Sequence, residues 1–248
     1  MTKYKMTIAY DGTAYHGWQI QPDQATIQGV LEEVLFKITA HHIRIFGAGR
    51  TDAGVHAEGQ VAHFETEQLM LTSQWRLAFN SRLPSDIRVQ KVQEASDHFH
   101  ARKSAISKIY RYSISFADVP SVFDRNRKLH IAHDLNIAKM RSAARHFIGK
   151  KDMSNFGVNP RRKDGKQDNP LKVIKKIRFA KKGDDLFIDI QASGFLYKMA
   201  RRMVGTLMEV GRGKTHENAI CELTRVGVQM QAGPTVLPHG LCLVKVMY

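Results

Sequence analysis

The chain has 248 residues, 43% hydrophobic and 25% charged, an ordinary balance for a folded protein with a real core. No stretch approaches the roughly 18 apolar residues of a membrane helix, so a membrane-embedded function is not expected. Against 23 acidic residues stand 38 Lys and Arg, a net charge of +15, which favours a polyanionic partner because cations gain free energy by displacing counterions from phosphates.

In chain order, Tyr4, Met6, Ile8 and Tyr10 alternate, which predicts a strand over 3–10 ending at Asp11-Gly12. Ile27, Val30, Leu31, Val34, Leu35 and Ile38 follow helical spacing, with Thr26 as N-cap. Ile43 to Phe46 reads as a short strand entering a glycine-rich loop, Gly47 to Gly54. Residues 60–65 read as a strand, 73–81 as a helix and Ile87 to Val92 as a strand. The pattern resumes with a strand over 105–115. A helix through Met140, Ala143, Ala144, Phe147 and Ile148 ends near Gly149. Strands near 172–180 and 185–192 flank Gly183 as a hairpin, and a helix over 196–210 and a strand over 240–247 close the chain. Both halves mix strands and helices, which predicts an α+β protein of two lobes, 1–104 and 105–248, without a sequence repeat between them. The polar, basic stretch 159–170 reads as a surface loop, either a solvated linker or a phosphate-contacting arm.

Cys221 and Cys242 lie far apart without a CxxC pair, which fits buried thiols in a reducing compartment. The opening MTKYKMTIAYDG has no apolar leader pattern. A cytoplasmic location is expected.

The most informative stretch runs from Phe46 to Ala57, where three glycines make a tight backbone around Arg50 and Asp52. A carboxylate near a cation stays ionised and can act as a nucleophile, although Asp in a Gly-rich turn is also ordinary turn chemistry. Gly211-Arg212-Gly213-Lys214-Thr215 contains GKT, but a phosphate loop needs a glycine where Met208 stands, and a preceding strand rather than a helix. Nucleoside triphosphate binding is not expected. His56 and His63 show no metal-ligand spacing, so no metal is expected either.

The string GRTDAGVHA, Gly49 to Ala57, closely resembles the active-site motif of the tRNA pseudouridine synthase A family. YDGTAYHGWQ (Tyr10 to Gln19) is similar to that family's opening strand and turn, FHAR (Phe99 to Arg102) to a second segment, and KIYRY (Lys108 to Tyr112) to a strand. FLYKMARRMVG (Phe195 to Gly205) is similar to a helix, and PHGL (Pro238 to Leu241) to the C-terminal ending. The resemblance covers almost the whole chain. It implies the pseudouridine synthase fold, two α/β lobes with largely antiparallel sheets flanking a basic central cleft. It implies isomerisation of uridine to pseudouridine at positions 38, 39 and 40 of the tRNA anticodon stem-loop, by a homodimer without cofactor or metal.

By the same resemblance, the catalytic residues are Asp52, Arg50 and Arg201. Asp52 attacks uracil C6 or ribose C1′, or promotes elimination to a glycal; the sequence leaves these routes open. Arg50 helps hold the base out of the stack, and Arg201 pairs with the carboxylate through its guanidinium fork. Tyr110 packs on the flipped base, and Arg102 is a candidate RNA contact. Phe99 is expected to pack rather than touch a base. Each has a plainer alternative: a turn carboxylate for Asp52, a core tyrosine for Tyr110 beside Tyr112 and Ile114, and a solvated helix face for Arg201. The helix departs from the family pattern, with Arg201-Arg202 for Arg-Asn and Lys198 for a neutral residue or His, leaving open which arginine contacts phosphate. A non-catalytic RNA-binding protein and a synthase for another RNA are the competing readings.

Overall fold

The computed structural model describes residues 1–158 and 168–248. Most of the basic loop read at 159–170 lies outside the described residues. The chain divides into two compact units, one formed by Met1–Ile106 with Cys242–Tyr248 and the other by Ser107–Leu241.

In the first unit, β1 (Thr2–Tyr10) is followed by α1 (Ile27–Thr39), β2 (Phe46–Gly47), β3 (His56–Thr66), α2 (Thr72–Asn80) and β4 (Ile87–Ala95). Strand β1 buries the alternating set Tyr4, Met6, Ile8 and Tyr10. It pairs antiparallel with β3 on one side and β4 on the other. Helix α1 starts where Thr26 Oγ1 accepts the Gly29 N–H at 3.3 Å, and it buries Ile27, Leu31, Val34 and Leu35. Helix α2 buries Trp75 and Phe79, which pack with Tyr4 and Phe64 at centroid separations of 5.1 to 6.2 Å. Each such ring contributes about 1.5–3 kcal/mol by burial.

The second unit contains β5 (Ser107–Ser115), β6 (Leu129–His130), α3 (Ile137–Ala144), β7 (Gly149–Asp152), β8 (Leu171–Lys182), β9 (Asp185–Ala192), α4 (Met199–Gly211) and α5 (Ala219–Leu223). Its antiparallel strands run β5-β9-β8-β7, with β6 parallel to β5. The buried face carries Tyr110, Tyr112 and Ile114 opposite Ile190, Ile188 and Leu186. Gly183, at φ +57°, makes the β8–β9 turn. The mixed α+β class with largely antiparallel sheets is thus observed within each unit.

Some boundaries differ from the sequence reading for identifiable reasons. The last strand, β10 (Leu241–Met247), was assigned to the second lobe, but from Cys242 onward it belongs to the first unit, where it pairs parallel with β3 at His56 and Ala57. Of the strand expected over 43–46 only Phe46 is in β2. The Ile45 N–H donates to Glu32 Oε1 at 2.8 Å and its carbonyl accepts from Gln28 Nε2 at 3.1 Å, so α1 side chains take the groups a ladder would use. Helix α3 stops at Ala144 and continues only as a 3₁₀ turn, Arg145–Phe147. Cys221, expected buried, is exposed: α5 buries Ile220 and Leu223, and the thiol lies 3.1 Å from His146 Nδ1. Neither cysteine is in a disulfide.

Candidate active site

The loop between β2 and β3 is held from several directions by its backbone. The Ala48 N–H donates to Val61 O at 2.7 Å, and Gln60 Nε2 donates to Gly49 O at 2.8 Å. The Trp18 N–H donates to Thr51 O at 3.1 Å, the Gly54 N–H to Tyr15 O at 3.3 Å, and the Val55 N–H to Asp52 O at 3.1 Å. Asp52, in the middle, is half-buried, while Arg50 two residues earlier is exposed. The neighbouring Thr51 is buried, with Oγ1 2.9 Å from the Tyr10 hydroxyl, which also accepts from Gln60 Nε2 at 3.4 Å. Burial pushes the Tyr10 phenol well above its ordinary range, so it serves here as a neutral hydrogen-bonding group.

The support under this loop is the turn 11–18. Gly17 has φ +86°, and a Cβ there would lie 2.4 Å from Thr51 O and 3.0 Å from the Asp52 carbonyl carbon. At Gly12 a Cβ would lie 2.1 Å from Val55 O. The Gly12 N–H donates to His56 Nδ1 at 3.0 Å, which ties the turn to the start of β3. Trp18 is buried against Gly47, where a Cβ would come within 2.5 Å of the indole. The segment that the sequence offered only as a strand and turn is therefore a close-packed bed for the Asp52 loop. Its signal was the glycine at 17, followed by a tryptophan.

The FHAR segment follows β4 in the same unit. Its Ala101 N–H donates to His63 Nδ1 at 3.2 Å, and the His63 ring stacks on Phe46 at 5.2 Å. His63, which the sequence raises only as a rejected metal ligand, thus joins this turn to the strand that enters the Asp52 loop. Burial, with the His100 imidazole beside it, pulls His63 down to about 4. Arg102 is exposed. Phe99 packs on Tyr248 at 5.0 Å, as its expected packing role requires.

In the second unit, Tyr110 is 6% exposed, stands opposite Ile190, and meets Phe195 edge-on at 4.9 Å. Arg201, on the first turn of α4, is not on a solvated helix face. It is half-buried, and its Nε donates to Val236 O at 2.7 Å. Arg202 donates to Thr235 Oγ1 and to Asn155 O, both at 3.3 Å. The segment 233–236 that receives these arginines lies directly on α4. A Cβ at Gly205 would come within 1.8 Å of Pro234 O, and the Gly233 N–H donates to Thr206 Oγ1 at 2.9 Å. Lys198 sits at φ +63° at the N-cap of α4, so the helix begins at Met199 rather than at 196. The GKT stretch follows α4 directly, with no strand before it.

The family model described as tRNA pseudouridine synthase matches residues 6–102 and 143–248. The chain belongs to the tRNA pseudouridine synthase family. It is 40% identical over 248 residues to tRNA pseudouridine synthase A 2 of Clostridium perfringens, covering all of both chains. It is 39% identical to tRNA pseudouridine synthase A of Exiguobacterium sibiricum, covering all of this chain and 97% of the relative. With tRNA pseudouridine synthase A of Brevibacillus brevis it shares 37% identity over the full length of both. As a tRNA pseudouridine synthase it is an isomerase. Among the described residues no helix is long and apolar enough to cross a membrane.

Proposed function

We propose that this synthase isomerises uridine at positions 38, 39 and 40 of the tRNA anticodon stem-loop, with Asp52 as its nucleophile. The observation that carries the reading is Asp52 itself. It is a half-buried carboxylate on a loop whose backbone is fixed by bonds at Ala48, Gly49, Thr51, Gly54 and Val55, within the string GRTDAGVHA. A fixed backbone holds a nucleophile near its line of attack, where misplacement by about 1 Å costs on the order of 10²-fold in rate. The reaction breaks the bond between N1 and C1′, turns the base, and joins C1′ to C5. The C5 proton leaves as the new bond forms and N1 takes up a proton, so the product is an isomer and neither an oxidant nor a reductant is consumed.

Arg50, exposed beside the carboxylate, holds the space vacated by the flipped base. Tyr110, braced edge-on by Phe195, offers its ring to the uracil. Arg201 pairs with the Asp52 carboxylate through its guanidinium fork, and the Val236 carbonyl accepts from its Nε and holds the side chain. Arg102, exposed next to Lys103, contacts RNA phosphate. The enzyme acts in the cytoplasm as a homodimer. Mapping pseudouridine on an unmodified tRNA transcript tests the assignment: conversion at 38, 39 and 40 supports it, and conversion elsewhere removes the positional claim.

A further inference from the structure

The net charge of +15 is unevenly spread. Residues 137–152 and 171–182, which form α3, the following 3₁₀ turn, β7 and β8, contain eleven Lys and Arg and one acid, Asp152. A net +10 therefore resides on 28 residues of the second unit, at the end of its sheet away from β5. The two acids that β9 places opposite β8, Asp185 and Asp189, already bond other cations. Lys128 Nζ donates to Asp185 at 2.6 Å, and Arg111 grips Asp189 through two bonds of 2.7 and 2.9 Å.

On the side of this sheet end that α3 covers is a cavity of about 230 Å³ lined by Arg141, Ala144, Arg145, Ile148, Ile177 and Phe179. Arg141 and Arg145 are four residues apart, so both guanidiniums rise on one side of α3 and its continuation. Ile177 and Phe179 supply an apolar floor that is still half-exposed, and Arg141 Nη2 donates to Phe179 O at 3.3 Å. Two exposed guanidiniums over an apolar floor, with no carboxylate in the lining, suit a phosphate together with its attached sugar and base. The cavity is smaller than an ordinary small-molecule site and fits one nucleotide of a longer strand better than a free ligand.

We propose that this basic sheet end, centred on Arg141 and Arg145, is a second contact for the phosphate backbone of the substrate tRNA, apart from the residues that handle the target uridine. The inference rests on the tRNA reading above. Ile177 faces Ile190, which faces Tyr110, so the cavity floor stands two strands from the base-packing tyrosine, about 10 Å along the sheet. A contact at that remove grips a different nucleotide. Its loss weakens binding without touching the chemical step.

The test compares the full-length protein with Arg141→Gln/Arg145→Gln on unmodified tRNA transcript over a salt series, with single-turnover rates at saturating tRNA. The expected result is affinity lower by about tenfold or more. The slope of log affinity against log salt should shrink by about 1.4–1.8, two phosphate contacts at roughly 0.7–0.9 each. The saturated rate should be unchanged. Lys37→Gln/Arg76→Gln removes the same charge from the first unit and should cost less. Lys150→Gln/Lys151→Gln on β7 gives the same reading should the arginine pair fail to fold. Equal losses from the patch and the first-unit variants overturn the inference, as does an unchanged slope. Intact tRNA affinity with lost adhesion to phosphatidylserine-rich vesicles would reassign the patch to a lipid surface. A wild type that converts no uridine in tRNA overturns the catalytic reading instead, which separates the two failures.

Discussion

Substituting alanine at Gly17 places a methyl group against the loop that carries Asp52, and the cost can be worked from the geometry. The backbone there has φ +86°, where an L-residue costs about 1–2 kcal/mol. The new Cβ would also lie 2.4 Å from Thr51 O, so that carbonyl must recede by about 1 Å, an overpacking cost of about 1–3 kcal/mol. Gly183 is the matched control: its φ is +57°, but a Cβ there meets nothing within 4 Å, leaving only the conformational cost. Denaturant titration should show Gly17→Ala less stable than Gly183→Ala by the overpacking cost. The sharper contrast is in catalysis. Single-turnover pseudouridine formation at saturating tRNA should slow on the order of 10²-fold in Gly17→Ala, because the recoil falls on the Asp52 backbone, and should stay near wild type in Gly183→Ala. Equal stabilities and equal rates in the two variants would refute the claim that the turn 11–18 positions the nucleophile.

Two further outcomes are expected. Tyr110→Ala should lose the base contact, about 1–3 kcal/mol of stacking, read as a fall in kcat/KM, whereas Tyr110→Phe should keep tRNA affinity; equal affinity and activity in the alanine variant would return Tyr110 to the core. His63 is held at about 4, below its ordinary 6.5, by burial and by His100. Between those values the unfolded chain binds a proton that the folded chain does not. Stability should therefore fall as pH drops from about 6.5 to about 4 and level off below. His100, also lowered, adds in the same sense. In His63→Gln the slope of denaturation midpoint against pH should flatten; a slope unchanged in that variant would contradict the assignment.

Elements with one buried face were legible in the sequence. Strand β1 buries every second residue, and α1 announces itself through Thr26 and a helical apolar stripe. Strand β3 is buried along nearly its whole length on both faces. Its sequence HAEGQVAHFET therefore has no clean alternation, and only its central part, 60–65, was readable. The Asp52 loop was legible as a tight glycine-rich turn because its residues are contiguous. What supports it was not: Gly12 and Gly17 meet a carbonyl or peptide some 35 to 45 positions away, and His63 meets Ala101 from 38 positions away. The basic loop at 159–170 drew notice as a run of charge. The larger concentration on α3, β7 and β8 escaped it, because Ile, Val and Phe interleave with the cations and only strand pairing gathers them.

The central claim is that Asp52 carries uridine isomerisation at positions 38, 39 and 40. The most direct measurement is single-nucleotide mapping of pseudouridine on an unmodified tRNA transcript incubated with the wild type and with Asp52→Asn. Conversion at those positions by the wild type and none by the variant, with tRNA affinity within about a factor of ten, or 1.4 kcal/mol, is the predicted result. Normal turnover by Asp52→Asn, or a wild type that binds tRNA and leaves those uridines unchanged, would contradict it.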